Sequence, residues 1–230
     1  MKGKYYIVAT NTEISSERFE EGMTIEEFVK SMSKNREIFE ENYAGFTLKE
    51  DDADFLHRLD RDLKIVVLAE DWCGDVLRYV PVFARMAESA NEFAQRRSWD
   101  VRVFCRDENP DLADLWLKEG KFRAIPVIAF LDEKMTEIAC YVEKPAAVYA
   151  EDRHAVEAFV REHSDLPDAQ LPTSQMSEQT YEIYASFIRQ FRADNKTRWQ
   201  QWFVDEIREK LERATYGSQA TIHVVSQQGL

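Results

Sequence analysis

The chain has 230 residues, of which 44% are apolar and 12% aromatic, enough for a folded core and against a wholly disordered protein. Its net charge of −13 disfavours nucleic acid as a partner, because neutralising phosphates requires clustered Lys and Arg. No segment approaches the ~20 apolar residues of a membrane helix, and the first residues lack the apolar stretch of a signal peptide. We therefore expect a cytoplasmic protein with no membrane partner.

The cysteines Cys73, Cys105 and Cys140 are too few and too irregularly spaced for a disulfide framework or a zinc site. None of the four histidines stands at ligand spacing from a cysteine or a carboxylate. The sequence therefore predicts no metal and no other cofactor. Cys105 and Cys140 lie on predicted strands among apolar neighbours, which favours buried packing thiols. Whether either of them can act as a resolving thiol stays open.

Residues 1–61 are predicted to be largely helical. The stretch KYYIVAT is compatible with a short strand near the N-terminus. Thr24 and Glu27 have the spacing of a capping box, and the apolar periodicity that follows predicts one helix over 24–43. The stretch KEDDADFLHRLDRD predicts a second helix, whose acids occupy the first turn, where the helix dipole favours them.

The middle of the chain alternates strand and helix signals. β-Branched runs predict buried strands, and the short separation of the last two indicates an antiparallel hairpin. Pro81 lies inside the first helix and is expected to kink it. In chain order we predict a strand over 64–69, a helix over 75–97, a strand over 100–106, a short helix over 110–120, strands over 125–131 and 136–142, and a closing helix over 146–163.

The C-terminal part begins with a polar, proline-containing stretch over 164–177, which is typical of a linker. Aromatic and aliphatic residues then recur at helical spacing over 178–215, which predicts one long helix or a helix pair ending at Gly217. The last β-branched stretch, ATIHVVS, is compatible with a strand. The aromatic stripe is expected to be buried, either by the helix over 24–43 and the core or in a homodimer or partner interface.

One stretch, VVLAEDWCGDVLRYVP, carries the candidate chemistry. It places Cys73 where a strand passes into a helix, and the position three residues later, where a second thiol would stand in a two-cysteine redox site, is Val76. A single thiol can attack a disulfide, but an outside thiol must then release the product. It can also be oxidised to a sulfenic acid.

Three stretches together resemble a known family. Trp72-Cys73-Gly74-Asp75 stands at the strand–helix junction, RDENPDL follows the next strand, and RAIPVIAF opens the hairpin. In this order they resemble the thioredoxin superfamily, and in particular bacterial proteins with a helical N-terminal extension and a Trp-Cys-Gly-Asp-Cys site. The resemblance implies an α/β thioredoxin fold, a mixed four- to five-stranded sheet with helices on both faces. It also implies that the Ile125–Pro126 bond is cis and contacts Cys73.

The resemblance assigns the site and the domain boundaries as well. Cys73 is the expected catalytic residue, and the expected substrate-binding residues are Trp72, Gly74, Asp75, Ile125 and Pro126. The expected boundaries are an N-terminal helical extension over 1–61, a thioredoxin-like domain over 62–163, a linker over 164–177 and a C-terminal helical segment over 178–230.

Three valines depart from the family pattern. Val76 replaces the second cysteine, Val67 stands where thioredoxins bury an aspartate beneath the site, and Val103 stands where a lysine accompanies that aspartate. The resolving thiol and the proton-handling pair are therefore missing together.

The surroundings of Cys73 are expected to shift the pKa of its thiol in both directions. The N-terminus of a helix lowers the pKa of a thiol. Glu70, Asp71 and Asp75 are like charges that raise it and that repel anionic glutathione, whereas Arg78 and Arg123 are expected to offset them in part.

Two functions remain open at this point. One is a monothiol redox protein in which Cys73 exchanges with protein thiols or disulfides and an outside thiol resolves the product, or in which the thiol is oxidised. The other is a redox-inactive binding or adaptor module that uses the groove at Trp72 and Pro126. A pKa of Cys73 well below the free value of ~8.5 favours the first function, and one above it favours the second.

Overall fold

The computed structural model describes residues 14–59, 61–94 and 98–225, with side chains up to residue 215. The predicted strand KYYIVAT lies outside these residues. The chain divides into two compact units, one formed by residues up to 143 together with those from 204 onward, the other by residues 144–203.

The first unit contains a mixed four-stranded sheet, counted over the residues that are described. The strands are β1 (Leu63–Ala69), β2 (Trp99–Cys105), β3 (Val127–Leu131) and β4 (Glu137–Val142), in the order β2-β1-β3-β4. β1 pairs in parallel with β2 and antiparallel with β3, and β3 and β4 form the hairpin. Helices lie on both sides of this sheet, so the predicted α/β thioredoxin fold is confirmed.

The interior beneath the β1–α5 end of the sheet is apolar, because β1 consists mostly of aliphatic residues and is buried on both faces. Val67 lies between Val103 of β2 and Ile128 of β3, and all three side chains are fully buried. The helix α5 (Gly74–Ala94) follows β1 after a four-residue loop and continues unbroken through Pro81. This connection fixes the position of Cys73, the last residue of the loop.

The N-terminal extension consists of α1 (Ser16–Glu20), α2 (Ile25–Ser31), α3 (Arg36–Ala44) and α4 (Glu50–Leu59). The capping box of Thr24 and Glu27 is present and begins α2, as predicted. The prediction of one helix over 24–43 is wrong. The chain leaves the helix after Ser31 and adopts a left-handed conformation at Asn35, with φ of 56°, before α3 begins. The apolar periodicity continues across this break, and for that reason the pattern did not reveal it.

The extension also covers part of the outer edge of the sheet. The backbone of Met23 exchanges two hydrogen bonds with Val103 in the edge strand β2. Gly22 permits this approach, because a Cβ atom at that position would lie 2.6 Å from the Phe104 ring. Val103 is thus enclosed by the extension as well as by the sheet.

The connection between β2 and β3 contains the short helix α6 (Pro110–Ala113), which begins at Pro110 as predicted and continues as a single 3₁₀ turn over Asp114–Trp116. Gly120 then has φ of 67°, a conformation that glycine adopts without strain.

The second unit comprises α7 (Ala146–Glu162), a series of turns with a 3₁₀ helix at Thr173–Gln175, and the first part of α8 (Glu178–Val225). Within this unit Phe159 packs edge to face on Tyr184. The prediction of a long C-terminal helix is confirmed, whereas its predicted end at Gly217 and the predicted strand ATIHVVS are wrong, because α8 continues to Val225.

In the first unit, the α8 residue Arg208 lies over the ring of Phe55 and pairs with Asp52, both in α4. Packing of the aromatic stripe against residues 24–43 stays a prediction, as does a homodimer through α8. None of the described helices combines the length and the apolar character that crossing a membrane requires.

Candidate functional site

Cys73 lies at the junction of β1 and α5, half-buried, immediately before the first residue of the helix. Its backbone N–H donates to the carbonyl of Glu70 at 3.2 Å, and its own carbonyl accepts from Leu77 at 3.0 Å. The backbone N–H groups of Asp75 and Val76 are directed at its sulfur. Cys73 therefore occupies the N-terminus of a helix of 21 residues, the position that the sequence assigned to it.

The hairpin brings the second part of the site to this thiol. The Ile125–Pro126 peptide bond is cis, as predicted. The Cys73 Sγ donates to the carbonyl oxygen of Ile125 at 3.7 Å, so the predicted contact between the cysteine and this loop is confirmed. The carbonyl of Pro126 is already used, since it accepts from the N–H of Glu143 at 2.7 Å.

The net effect of these surroundings is to raise the pKa of the Cys73 thiol above its ordinary value. Burial is the main cause, and the carboxylate of Asp75 adds to it, while the N–H groups of Val76 and Asp75 and the charge of Arg106 act in the opposite direction. The thiolate is the nucleophilic form, so a raised pKa disfavours attack by Cys73 at neutral pH.

Arg106 is a site residue that the sequence did not single out. Its guanidinium lies 5.0 Å from the ring centroid of Trp72, and it donates to the Asp107 carboxylate at 2.6 Å and to the Arg123 carbonyl at 3.1 Å. It stands first in RDENPDL, directly after β2. Because β2 is parallel to β1, both strands end at the same edge of the sheet, and this could have identified Arg106.

The two arginines that were expected to offset the acids differ in their partners, since one pairs with an acid next to Cys73 and the other does not. Arg78 pairs with Asp75 at 2.8 Å, and Arg123 pairs with Asp114 at 2.7 Å on the surface. Their effect on the pKa of Cys73 stays a prediction. Gly74 has open space around its Cα, which leaves this side of the thiol accessible.

Asp71 is held by the N-terminal extension. Its carboxylate accepts from Ser33 N, Ser33 Oγ and Lys34 N at 2.9, 2.9 and 3.0 Å, and its carbonyl accepts from the Asn35 side chain at 2.9 Å. Burial alone would raise the pKa of Asp71, but the bonds from Ser33 and Lys34 lower it overall. We call this set of contacts the Asp71 clamp. The sequence did not reveal it, because its partners are about forty residues apart.

Glu70 is buried and accepts from the N–H of Asp107 at 2.8 Å, and its burial raises its pKa. Burial and then the charge of Glu70 raise the pKa of Cys105 to about 11. Burial likewise raises the pKa of Cys140. All three cysteines are free. The raised pKa values of Cys105 and Cys140 disfavour the thiolate form that attack on a mixed disulfide requires.

A groove of about 700 Å³ adjoins the site, and Arg106, Lys121, Phe122 and Arg123 are among its lining residues. Phe122 and Trp72 are 57% and 48% exposed, unusually open for large aromatic side chains. Arg106 connects the two, since it lines the groove and stacks on Trp72. Over the described residues, no group of three or more His, Cys, Asp or Glu side chains is arranged to hold a metal ion.

A cysteine at a strand–helix junction, facing a cis-proline loop across the end of a mixed sheet, defines a thioredoxin-like protein. The thioredoxin family profile matches residues 22–154, more than half of the chain, and the chain belongs to this family.

Two solved structures are similar in fold. The crystal structure of an HIV epitope-scaffold has a TM-score of 0.55 at 15% identity, and the match covers 87% of this chain and 98% of that one. A protein of unknown function from Pseudomonas aeruginosa has a TM-score of 0.49 at 17% identity, with 77% and 99% covered. At this identity the first match supports the fold alone. No curated protein matches the chain.

Proposed function

We propose that the chain is a thioredoxin-fold binding module that receives an extended protein segment at exposed Trp72 and at the neighbouring groove lined by Arg106 and Phe122, without thiol–disulfide turnover. The observation that carries this proposal is the state of the thiol: Cys73 donates its proton to the Ile125 carbonyl, and burial raises its pKa. A protonated thiol in that position is a poor nucleophile but a good part of a binding surface.

The interior supports the same conclusion. Dithiol turnover requires a second thiol to expel the product and a group that accepts and returns protons. At the three positions where the family carries these groups, the chain has Val67, Val76 and Val103, and all are fully buried. The two positions of the proton-handling pair, 67 and 103, therefore hold no side chain that can accept or return a proton.

The groove indicates the kind of segment that would bind. Exposed Trp72 and Phe122 offer an apolar surface, and Lys121 has no ion pair among the described residues. The charges of Arg106 and Arg123 are balanced by Asp107 and Asp114. A segment with a large apolar residue next to an acidic one complements this surface.

A second function is favoured by one observation: the N–H groups of Asp75 and Val76 and the charge of Arg106 stabilise a Cys73 thiolate once it forms. In that case the thiolate attacks one sulfur of a protein disulfide, and the other sulfur leaves as a thiolate. An external thiolate then attacks the substrate sulfur of the mixed disulfide and releases Cys73. Cys73 is unchanged overall, while the external thiol ends in a disulfide with the substrate.

A thiol titration separates the two functions. The absorbance of the thiolate near 240 nm is followed across pH in a Cys105→Ala, Cys140→Ala background, and the absorbance of the same background with Cys73→Ala is subtracted to remove the contribution of the nine tyrosines. We expect an apparent pKa above the free value of ~8.5 and no reduction of insulin. An apparent pKa more than a unit below that value would favour the monothiol function.

Binding is tested with peptides carrying Leu between two Asp residues or between two Lys residues. We expect the acidic peptide to bind more tightly and Trp72→Ala to abolish binding. Phe93→Ala is the matched control, because Phe93 is also an exposed aromatic side chain, 55% accessible, but lies near the other end of α5. Equal binding of both peptides, or no effect of Trp72→Ala, would contradict the proposal.

A further inference from the structure

A second cavity lies away from Cys73 and shares no lining residue with the groove beside it. It has a volume of about 710 Å³ and lies between α2 and α3 of the extension on one side and α5 and β2 on the other. Its α5 residues Ala84 and Ala87 lie roughly 15–20 Å along the helix from Gly74, at 1.5 Å per residue. We call it the extension cavity.

The extension cavity is apolar inside. Phe39, Ala84, Ala87, Trp99 and Val101 line it, and each of them is nearly fully buried. Ala84 and Ala87 are three residues apart, so their short side chains lie on one face of α5 and leave space that longer ones would fill. Its volume falls in the range of roughly 300–1,000 Å³ typical of small-molecule sites.

The polar groups inside the cavity are already satisfied. Asn91 accepts from the N–H of Trp99 at 2.8 Å and donates to its carbonyl at 3.1 Å. Tyr43 donates to Glu88 at 2.8 Å, and Arg85 pairs with the same carboxylate. A ligand in this cavity therefore makes mainly apolar contacts, since the polar lining groups Asn91, Tyr43 and Glu88 already have partners in the protein.

The charge at the mouth is negative. Glu26 is neutralised by Lys30 one turn later. Glu40 lines the mouth, is exposed, and forms no ion pair among the residues that the structure describes. One uncompensated carboxylate beside an apolar cavity complements a compact apolar molecule with one positive charge.

We propose that the extension cavity binds a small organic cation with an aromatic body and an amine on an alkyl carbon, of the arylalkylamine class. The proposal is independent of the function proposed for Cys73, because the two places share no lining residue. The extension, which supplies α2 and α3, builds a second binding site onto the thioredoxin fold.

The test uses three naphthalene probes that differ in charge: naphthylmethylamine as the cation, naphthylmethanol as the neutral form and naphthoate as the anion. Binding is measured by calorimetry on the full chain carrying Trp72→Ala, which removes the exposed stacking partner at the other groove. We expect the cation to bind at least 10-fold more tightly than the anion. In ¹⁵N spectra of the same protein, the cation should shift the indole N–H signal of Trp99 but not that of Trp199.

Two pairs of variants locate the site. Ala87→Leu fills the cavity and should weaken binding of the cation at least 10-fold, whereas Ala94→Leu, at the end of the same helix, should not. Glu40→Gln should remove the preference for the cation but retain binding of naphthylmethanol, whereas Glu37→Gln, which lies outside the cavity, should leave the preference intact. Circular dichroism verifies folding, and the Trp99 signal reports on the site even if Ala87→Leu fails to fold.

Several outcomes would overturn the proposal. They are the absence of binding by any probe to a folded chain at millimolar concentration, tighter binding of naphthoate than of the amine, and a Trp99 signal that does not move. A dimer that Ala87→Leu dissociates, with no probe binding, would assign the cavity to a second copy of the chain.

Discussion

The edge of the sheet and the interior directly beneath it differ sharply. The edge retains the family's geometry, with Cys73 at a helix N-terminus, the cis Ile125–Pro126 bond and exposed Trp72. In the interior, the fully buried Val67, Val76 and Val103 stand at the positions where the sequence resemblance leads us to expect an acid, a thiol and a lysine. In the function proposed for this chain, reception of a protein segment is separated from transfer of electrons to it, and the edge of the sheet supplies the first.

The largest effect on stability is expected when an acid is placed in the interior by the substitution Val67→Asp. We expect a loss of at least ~3 kcal/mol in the free energy of unfolding at pH 7, because the carboxylate is buried without a partner. Burial raises its pKa in the folded state, so the loss should be smallest below the unfolded value of ~3.9 and grow as pH rises through the folded value.

Urea unfolding at pH 4 and pH 7 measures this effect. Val67→Ala serves as the control, since it removes the methyl groups without adding a charge. An equal loss for the two variants at pH 7 would show that the interior contains water or a cation able to compensate the carboxylate.

Restoring only the second thiol separates its contribution to disulfide reduction from that of the interior. Val76→Cys recreates the two-thiol spacing, so insulin reduction should rise from background to a measurable rate. The rate should stay at least ~10-fold below that of a dithiol thioredoxin, because assisted proton transfer contributes ~10²–10⁴-fold and Val67 and Val103 cannot supply it. The matched control, Val76→Ser, should be inactive, and full activity of Val76→Cys would contradict the role given to the interior.

A smaller effect is expected at the Asp71 clamp. Asp71→Asn should cost about 1 kcal/mol at pH 7, because it weakens three hydrogen bonds to a carboxylate. The folded pKa of Asp71 is lowered, so the stabilisation exists above the unfolded value of ~3.9 and disappears as pH falls through the folded value.

Thermal unfolding across pH should therefore show the Asp71→Asn variant and the native chain converging in acid. Asp165→Asn, at an exposed position outside the helices, is the control and should differ little from the native chain at any pH. A constant difference down to pH 2 would mean that the charge of Asp71 is not what stabilises the clamp.

The smallest effect is expected for Arg106→Met. Removing the cation should raise the pKa of Cys73 further and change the fluorescence of Trp72, with a stability cost of ~0.5–1 kcal/mol for the lost cation–π contact. Arg58→Met, on the exposed face of α4, provides the control. A fall in the pKa of Cys73 would show that Arg106 mainly excludes water from the thiol.

The elements defined by local signals could be predicted from the sequence. The β-branched runs gave β1 and β2, and the capping box of Thr24 gave the start of α2. Residues 220–225, ATIHVV, are also rich in β-branched side chains, yet they continue α8, because the preceding helix outweighs the local strand preference. The break at Asn35 was not predictable, since one residue with positive φ leaves the apolar period nearly intact.

In the candidate site, too, the residues in local motifs could be predicted and the residues brought together by folding could not. Cys73, Trp72 and Pro126 stand in contiguous motifs and were found. Arg106 and the donors of the Asp71 clamp are site residues only through contacts between distant segments, which no local pattern records. The sign of the pKa shift of Cys73 also depended on burial, a property of the packed chain.

The Asp71 clamp bears on which segment of the chain must be inherited together for the site to stay intact. Cys73 and all strands of the described part of the chain lie after residue 62, yet the groups that hold the residue two positions before Cys73 come from residues 33–35. The family match likewise begins at residue 22, ahead of the sheet. A gene fragment that kept only the sheet and its helices would preserve the cysteine motif but lose the anchor of the loop that presents it, so duplication or recombination can pass on this site intact only together with its helical extension.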